Sequence, residues 1–256
     1  MRTEDFIVES GGERVRCILA IPDPARQSAE SGLLLNISAT AHYALHHPGQ
    51  NHPTKPFLDA GHYVLSFDLP HHGERVSKYG PSLGGMGKAL LAGDDPFEQF
   101  VSDGKAAMDY CLTRGIGTSG KIVSYGVSRA GYLLLRLAAA DPRLRAVGAP
   151  SPVTDWAYPT EFTDACPKDR TGPILIDNWV RELSQAAVYL SVGSQDDIVG
   201  TKACVRFAMK LFDVQRKALP KDRLISQLHV VDSKGHSPSQ ESRLDATRFL
   251  LRQCDG

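Results

Sequence analysis

Apolar residues in this chain cluster in short runs separated by longer stretches with helical spacing. Two β-rich runs, 6–8 and 15–21, flank Gly11 and Gly12, a turn signal between apolar runs that predicts a β-hairpin. Six further apolar runs follow at 32–37, 62–67, 121–125, 144–148, 187–192 and 226–231. Their continuous apolar character suits parallel strands buried on both faces, since an alternating pattern belongs to sheets with one wet face. Between them, 96–113 places Phe97, Phe100, Val101, Ala107, Met108 and Leu112 on one helical stripe. The segments 128–140, 199–217 and 239–251 also read as amphipathic or apolar helices. A hairpin followed by alternating strands and helices predicts a mostly parallel eight-stranded sheet with helices on both faces.

Two stretches resist this reading. Residues 73–95 are rich in glycine and proline, and 150–181 carry Trp156, Tyr158, Phe162 and Trp179 without clear periodicity. Loops of this length in a compact domain are usually functional, and 150–181 is expected to form a small cap, a lid or a pocket-lining insertion. No repeat, low-complexity tract or linker divides the chain, so residues 1–256 are expected to form a single domain.

Composition narrows the partners. The 256 residues carry 29 Lys plus Arg against 29 Asp plus Glu, and a chain without basic excess or basic blocks is a poor nucleic-acid binder. A small-molecule partner is expected. No run approaches the roughly 18 apolar residues of a membrane span, and the first residues, Met1 to Asp5, lack a signal-peptide core. The five cysteines are scattered, with no CxxC pair, which suits a reducing compartment. A soluble, cytoplasmic protein is expected; oligomeric state is not legible.

The strongest chemical signal is Tyr125-Gly126-Val127-Ser128-Arg129-Ala130-Gly131, set between a strand and a helix. A serine hydroxyl attacks well only where a base reaches it and N–H donors meet the oxyanion it creates. A sharp strand-to-helix turn with small flanking residues meets both needs. This segment resembles the nucleophile elbow of the α/β-hydrolase family, G-x-S-x-G, with Ala130 at the last glycine position. A helix cap is the plainer role for Ser128, so the rest of the chain must decide.

The resemblance implies an acid and a histidine, in that chain order, after later strands. Asp196 lies three residues after Gly193 and three before Val199, as the family acid often does; Asp197 is its neighbour and competitor. His236 follows a strand on a Gly-His loop before the last helix. Ser128, Asp196 and His236 are thus the expected catalytic triad. The segment from Phe67 to Arg75 resembles the family's Asp-x-Pro-x-His-Gly element. Where the family often has His-Gly after its third strand, this chain reads Asn36-Ile37-Ser38-Ala39-Thr40. The expected oxyanion donors are the backbone N–H of Arg129 and of Ser38 or Ala39. Ala149 to Trp156 resembles the dienelactone-hydrolase and prolyl-oligopeptidase-like branch, where Trp156 and Tyr158 would line a substrate pocket or, equally, pack a small cap.

The implied activity is cofactor-free hydrolysis of a carboxylic ester through an acyl-enzyme. A thioesterase, lactonase or amidase would use the same residues. Peptidase action is less expected, because the prolyl-oligopeptidase-like peptidases rely on a propeller for which this chain has no room. Two other classes stay open: a non-catalytic binding protein of the same fold, and a metal-dependent hydrolase built on the histidines at 42, 46, 47, 52, 71 and 72. The latter lacks an H-E-x-x-H pattern and a thiolate cluster, so no metal is expected.

Overall fold

A computed structural model describes residues 1–220 and 225–255. The eight predicted strands are all present, as β1 (Arg2–Ser10), β2 (Glu13–Ile21), β3 (Leu33–Ile37), β4 (Tyr63–Phe67), β5 (Ile122–Gly126), β6 (Leu144–Pro150), β7 (Ala187–Gln195) and β8 (Gln227–Lys234). They form one sheet in the order β1-β2-β4-β3-β5-β6-β7-β8. The hairpin strands are antiparallel, as is the β2–β4 pair. From β4 to β8 every pairing is parallel.

The helices are α1 (Ala41–His46), α2 (Thr54–Asp59), α3 (Ser82–Leu91), α4 (Pro96–Thr113), α5 (Arg129–Ala140), α6 (Thr160–Thr163), α7 (Thr201–Ala218) and α8 (Gln240–Asp255). Strand alternation sends neighbouring residues into different layers. Leu33, Leu35 and Ile37 join a core with Phe97, Phe100 and Met108 of α4, the leucines of α5, and Phe207 of α7. Leu34, Val123 and Tyr125 face the other way, toward Leu45, Phe57 and Phe249 of α1, α2 and α8. Each fully buried Leu or Phe contributes roughly 1.5–3 kcal/mol, so both faces must be covered. That requirement explains the continuous apolar strands. The start of α4 is set locally: Asp95 accepts from the N–H groups of Phe97 and Glu98, and Pro96 occupies the first turn. Among the described residues no helix is long and apolar enough to cross a membrane.

One expectation needs correction. The 73–95 stretch is not irregular throughout, because ten of its residues form α3. Its glycines disfavour a helix intrinsically, yet packing requires one of them: a Cβ on Gly85 would lie 2.1 Å from the Gly80 carbonyl oxygen. The histidine-rich segment carries His42 and His46 on α1, with His47, His52, His71 and His72 outside the helices. Its histidines build no metal-binding group, and among the described residues no three His, Cys, Asp or Glu side chains are disposed to hold an ion. The 150–181 stretch is a chain of short turns, with α6 and 3-10 turns at Lys168–Arg170, Gly172–Ile174 and Ile176–Trp179.

Candidate active site

Ser128 sits on the turn between β5 and α5 with φ 60° and ψ −120°, a conformation that costs a non-glycine residue roughly 1–3 kcal/mol. The surroundings hold it there. Its N–H donates to the Pro150 carbonyl at 3.2 Å, and its own carbonyl accepts from Val153 at 3.1 Å. The elbow needs small residues because the turn presses on its neighbours. A Cβ on Gly126 would lie 2.9 Å from that of Ala130, and one on Gly131 would lie 3.0 Å from the Gly126 carbonyl oxygen. The methyl of Ala130 fits, almost fully buried. The departure from G-x-S-x-G therefore leaves the turn intact, with Gly131 making the close approach.

Asp196 and His236 reach the same place from the ends of β7 and β8. Asp196 is 1% exposed, and its Oδ1 accepts from the N–H groups of Ile198 and Val199 at 3.1 and 3.2 Å. Thr201 braces the same loop, accepting from the Asp196 N–H at 3.1 Å and donating to the Gly193 carbonyl at 2.5 Å. Oδ2 is left to meet His236 Nδ1 at 2.9 Å. A carboxylate only accepts, so Nδ1 carries the proton and Nε2 is the basic nitrogen. Ser128 Oγ lies 2.8 Å from that Nε2 and donates to it. The three residues thus form one hydrogen-bonded line, with Ser128 and His236 108 positions apart in the chain. Asp197 is exposed and has no part in it.

Unpartnered N–H groups occur on the elbow and on the loop after the adjacent strand. Among the described residues, the backbone N–H groups of Arg129, Ser38 and Ala39 have no hydrogen-bond acceptor. Arg129 opens α5, where helix geometry leaves its N–H without an internal partner. Ser38 follows Ile37, which pairs in register with Gly126, so the 38–39 loop and the elbow leave adjacent strands at the same end. The 38–39 loop is anchored through Leu69, which donates to the Ala39 carbonyl at 3.2 Å. Asp68 anchors it a second time by accepting from the Ala41 N–H at 2.8 Å.

The two aromatic residues part company. Trp156 is fully buried and packs on Phe97, Tyr132 and Phe162 with ring centroids 4.7–5.2 Å apart. Its expected pocket-lining role is corrected: burying so large an apolar surface gains more in the core than at a wet rim. Tyr158 is 36% exposed, and its ring lies directly against Gly200 on the loop that carries Asp196. The largest of the described cavities, about 980 Å³, is lined by Arg2, Ile21, Leu45, His52 and Leu58 among others, and includes no residue of the Ser128 line.

All five cysteines are free and buried, and burial, reinforced by the Asp196 charge, pushes the Cys204 thiol up to about 12. Sequence reasoning missed His72. Burial pulls this imidazole down to about 4, its Nδ1 donates to the Pro70 carbonyl at 2.9 Å, and its Nε2 accepts from Arg129 Nη1 at 2.9 Å. The signal was its place in the Phe67–Arg75 element, but nothing in the sequence tied it to Arg129.

An eight-stranded, mostly parallel sheet with a strained serine turn after β5 and a Ser–His–Asp line at its strand ends defines the α/β-hydrolase fold. Comparison with solved structures agrees. The chain resembles a cold-adapted esterase from an Arctic intertidal metagenomic library, with TM-score 0.68 and 16% identity, covering 98% of this chain and 93% of that one. An esterase from Pyrococcus furiosus gives TM-score 0.68 and 15% identity, over 98% of this chain and 91% of that one. A prolyl endopeptidase gives TM-score 0.71 and 18% identity over 99% of this chain, which spans only 39% of that protein. At these identities the likeness is one of fold. No protein-family model and no curated protein sequence matches the chain.

Proposed function

We propose that this protein is a serine hydrolase of carboxylic esters, with Ser128 as nucleophile, His236 as general base and Asp196 as its orienting acid. The observation that carries the reading is the continuous Asp196–His236–Ser128 hydrogen bonding, 2.9 and 2.8 Å long, at the strand ends where the N–H groups of Arg129, Ser38 and Ala39 have no partner among the described residues. Ser128 Oγ attacks the ester carbonyl while its proton passes to His236 Nε2. Asp196 stabilises the imidazolium and keeps Nδ1 protonated throughout. The oxyanion accepts from the N–H of Arg129 and from that of Ser38 or Ala39, donors worth about 3 kcal/mol each in the transition state. His236 then protonates the leaving alkoxide, and water repeats the relay to release the acyl group. The esterases among the structural neighbours support this reading. Thioesters, lactones and amides would pass through the same relay.

The chain is read as one domain, with 150–181 as an insertion whose Trp156 serves the core and whose Tyr158 stands at the rim. Five unpaired, buried thiols support work in the reducing cytoplasm. The test is hydrolysis of short p-nitrophenyl esters by wild type and Ser128→Ala, with fluorophosphonate labelling read by mass spectrometry. A rate on the order of 10⁴-fold lower in the variant, with the label on Ser128, is expected. A wild type that neither cleaves nor labels would overturn the reading in favour of a non-catalytic protein.

A further inference from the structure

The side chain of Arg129 has an environment that the relay does not explain. Nη1 donates to His72 Nε2 at 2.9 Å and to Ser82 Oγ at 3.0 Å. Neither partner is negatively charged, because His72 is neutral with its proton committed to Pro70. Other buried arginines here meet a carboxylate: Arg75 meets Asp103 at 2.7 Å, and Arg136 meets Glu98. Among the described residues Arg129 has no carboxylate within ion-pair distance. Glu161 acts on it only through space, its Oε1 being engaged by the Leu83 N–H at 3.0 Å. The hydrogen bonds of this side chain among the described residues both come from Nη1, leaving Nε and Nη2 without an acceptor there, and Arg129 is only partly buried.

A half-buried guanidinium without a counter-charge is costly, and its free Nε–Nη2 edge matches the two oxygens of a carboxylate. Its position is equally telling. Arg129 follows the nucleophile directly, and the loop that supplies His72 is tied through Leu69 to the Ala39 carbonyl. Arg129, Ser128 and the 38–39 loop therefore lie at the same end of the sheet, where β3 and β5 leave side by side. We propose that Arg129 binds a carboxylate carried by the substrate, which makes the preferred esters those that bear a second, ionised carboxylate. The ester half of this statement rests on the serine-hydrolase reading; the carboxylate half does not.

The test compares mono-p-nitrophenyl adipate with its neutral methyl ester, using wild type, Arg129→Met and Arg129→Lys. The Arg129 backbone N–H serves both esters alike, so the ratio of their kcat/KM values isolates the side chain. Wild type is expected to favour the acidic ester at least tenfold. Arg129→Met brings the ratio close to one, mainly through KM, and Arg129→Lys falls between. A merely structural Arg129 would slow both esters together and leave the ratio unchanged, which would overturn the proposal. Calorimetric titration of adipate into Ser128→Ala gives a readout without turnover. Saturable binding, weakened at least tenfold in Ser128→Ala/Arg129→Met, supports the proposal even if no ester is cleaved, an outcome that would sink only the hydrolase reading. Adipate that fails to bind Ser128→Ala, or that binds both proteins equally, refutes it.

Discussion

Replacing Arg75 with methionine removes the cation against which Asp103 is buried. Asp103, on α4, is 0% exposed. Its Oδ2 accepts from Arg75 Nη1 at 2.7 Å and its Oδ1 from Gln99 at 2.8 Å. Arg75 also donates to the Asp68 carbonyl at 3.0 Å and to Glu13 at 2.7 Å. Burial already raises the Asp103 pKa above the ordinary carboxylate range, and Arg75 is the main influence opposing that rise, with Ser10 and Gln99 adding to it. Methionine keeps much of the arginine stem's packing, so the loss is mainly electrostatic. Removing one partner of a buried pair costs about 3–5 kcal/mol. Unfolding entropy near 2.1 cal/mol/K per residue gives roughly 0.5 kcal/mol per degree for this length, hence a Tm lower by about 6–9 °C. Scanning calorimetry at pH 7.5 measures it directly. Without Arg75, Asp103 has a folded pKa further above its unfolded value, so the folded state binds the extra proton. The deficit must therefore grow as pH rises and shrink as pH falls toward the carboxylate range. Arg75→Met/Asp103→Leu, which removes both charges, should recover most of the loss. A single variant within about 2 °C of wild type, or a double variant less stable than the single, would refute this account. Activity should fall with stability, because Arg75 steadies Asp68, which in turn holds the Ala41 N–H beside the proposed oxyanion loop.

Three further outcomes are expected. Asp196→Asn should lower kcat by roughly 10⁴-fold, while Asp197→Asn, at an exposed position, leaves it nearly unchanged; steady-state kinetics showing equal losses would reassign the acid. Ser128→Gly should abolish activity yet raise Tm by about 2 °C, because glycine accepts φ near 60° without strain and repays only part of that gain in chain entropy; a lower Tm would count against strain at the elbow. His72, with its pKa depressed by burial from 6.5 to about 4, contributes stability that is present above pH 6.5 and lost as pH falls toward 4, about 3 kcal/mol in all. Denaturant unfolding at pH 7, 5.5 and 4.5 should show that slope in wild type and a shallower one in His72→Gln, and equal slopes would contradict it.

Much of the architecture was legible because local patterns and the final fold agree. The runs at 32–37 and 121–125 carry apolar residues on both faces of the strand, with Asn36 and Ser124 the buried polar exceptions, as strands covered on both faces should. The helix at 96–113 carries both its apolar stripe and its own start signal in Asp95-Pro96. Where local preference and packing disagree, the pattern misled. Gly84, Gly85 and Gly87 advertise a loop, but the approach of α3 to the Gly80 carbonyl requires a residue without a side chain. Trp156 carried no mark to separate core from pocket, since an aromatic ring serves either.

By itself the sequence determined the alternation of strands and helices, the hairpin that precedes them, and the chain order of Ser128, Asp196 and His236. These follow from hydrophobic period, turn chemistry and motif spacing, which are local properties. Only the tertiary structure decided that β7 and β8 end where Asp196 and His236 meet across 2.9 Å, that Asp197 points to solvent, and that Arg75 is sunk against Asp103. It alone brought His72 and Ser82 to one nitrogen of Arg129 and left the rest of that guanidinium without a partner among the described residues. Such facts depend on contacts between residues tens of positions apart, and those are set by sheet order and packing rather than by any pattern along the chain.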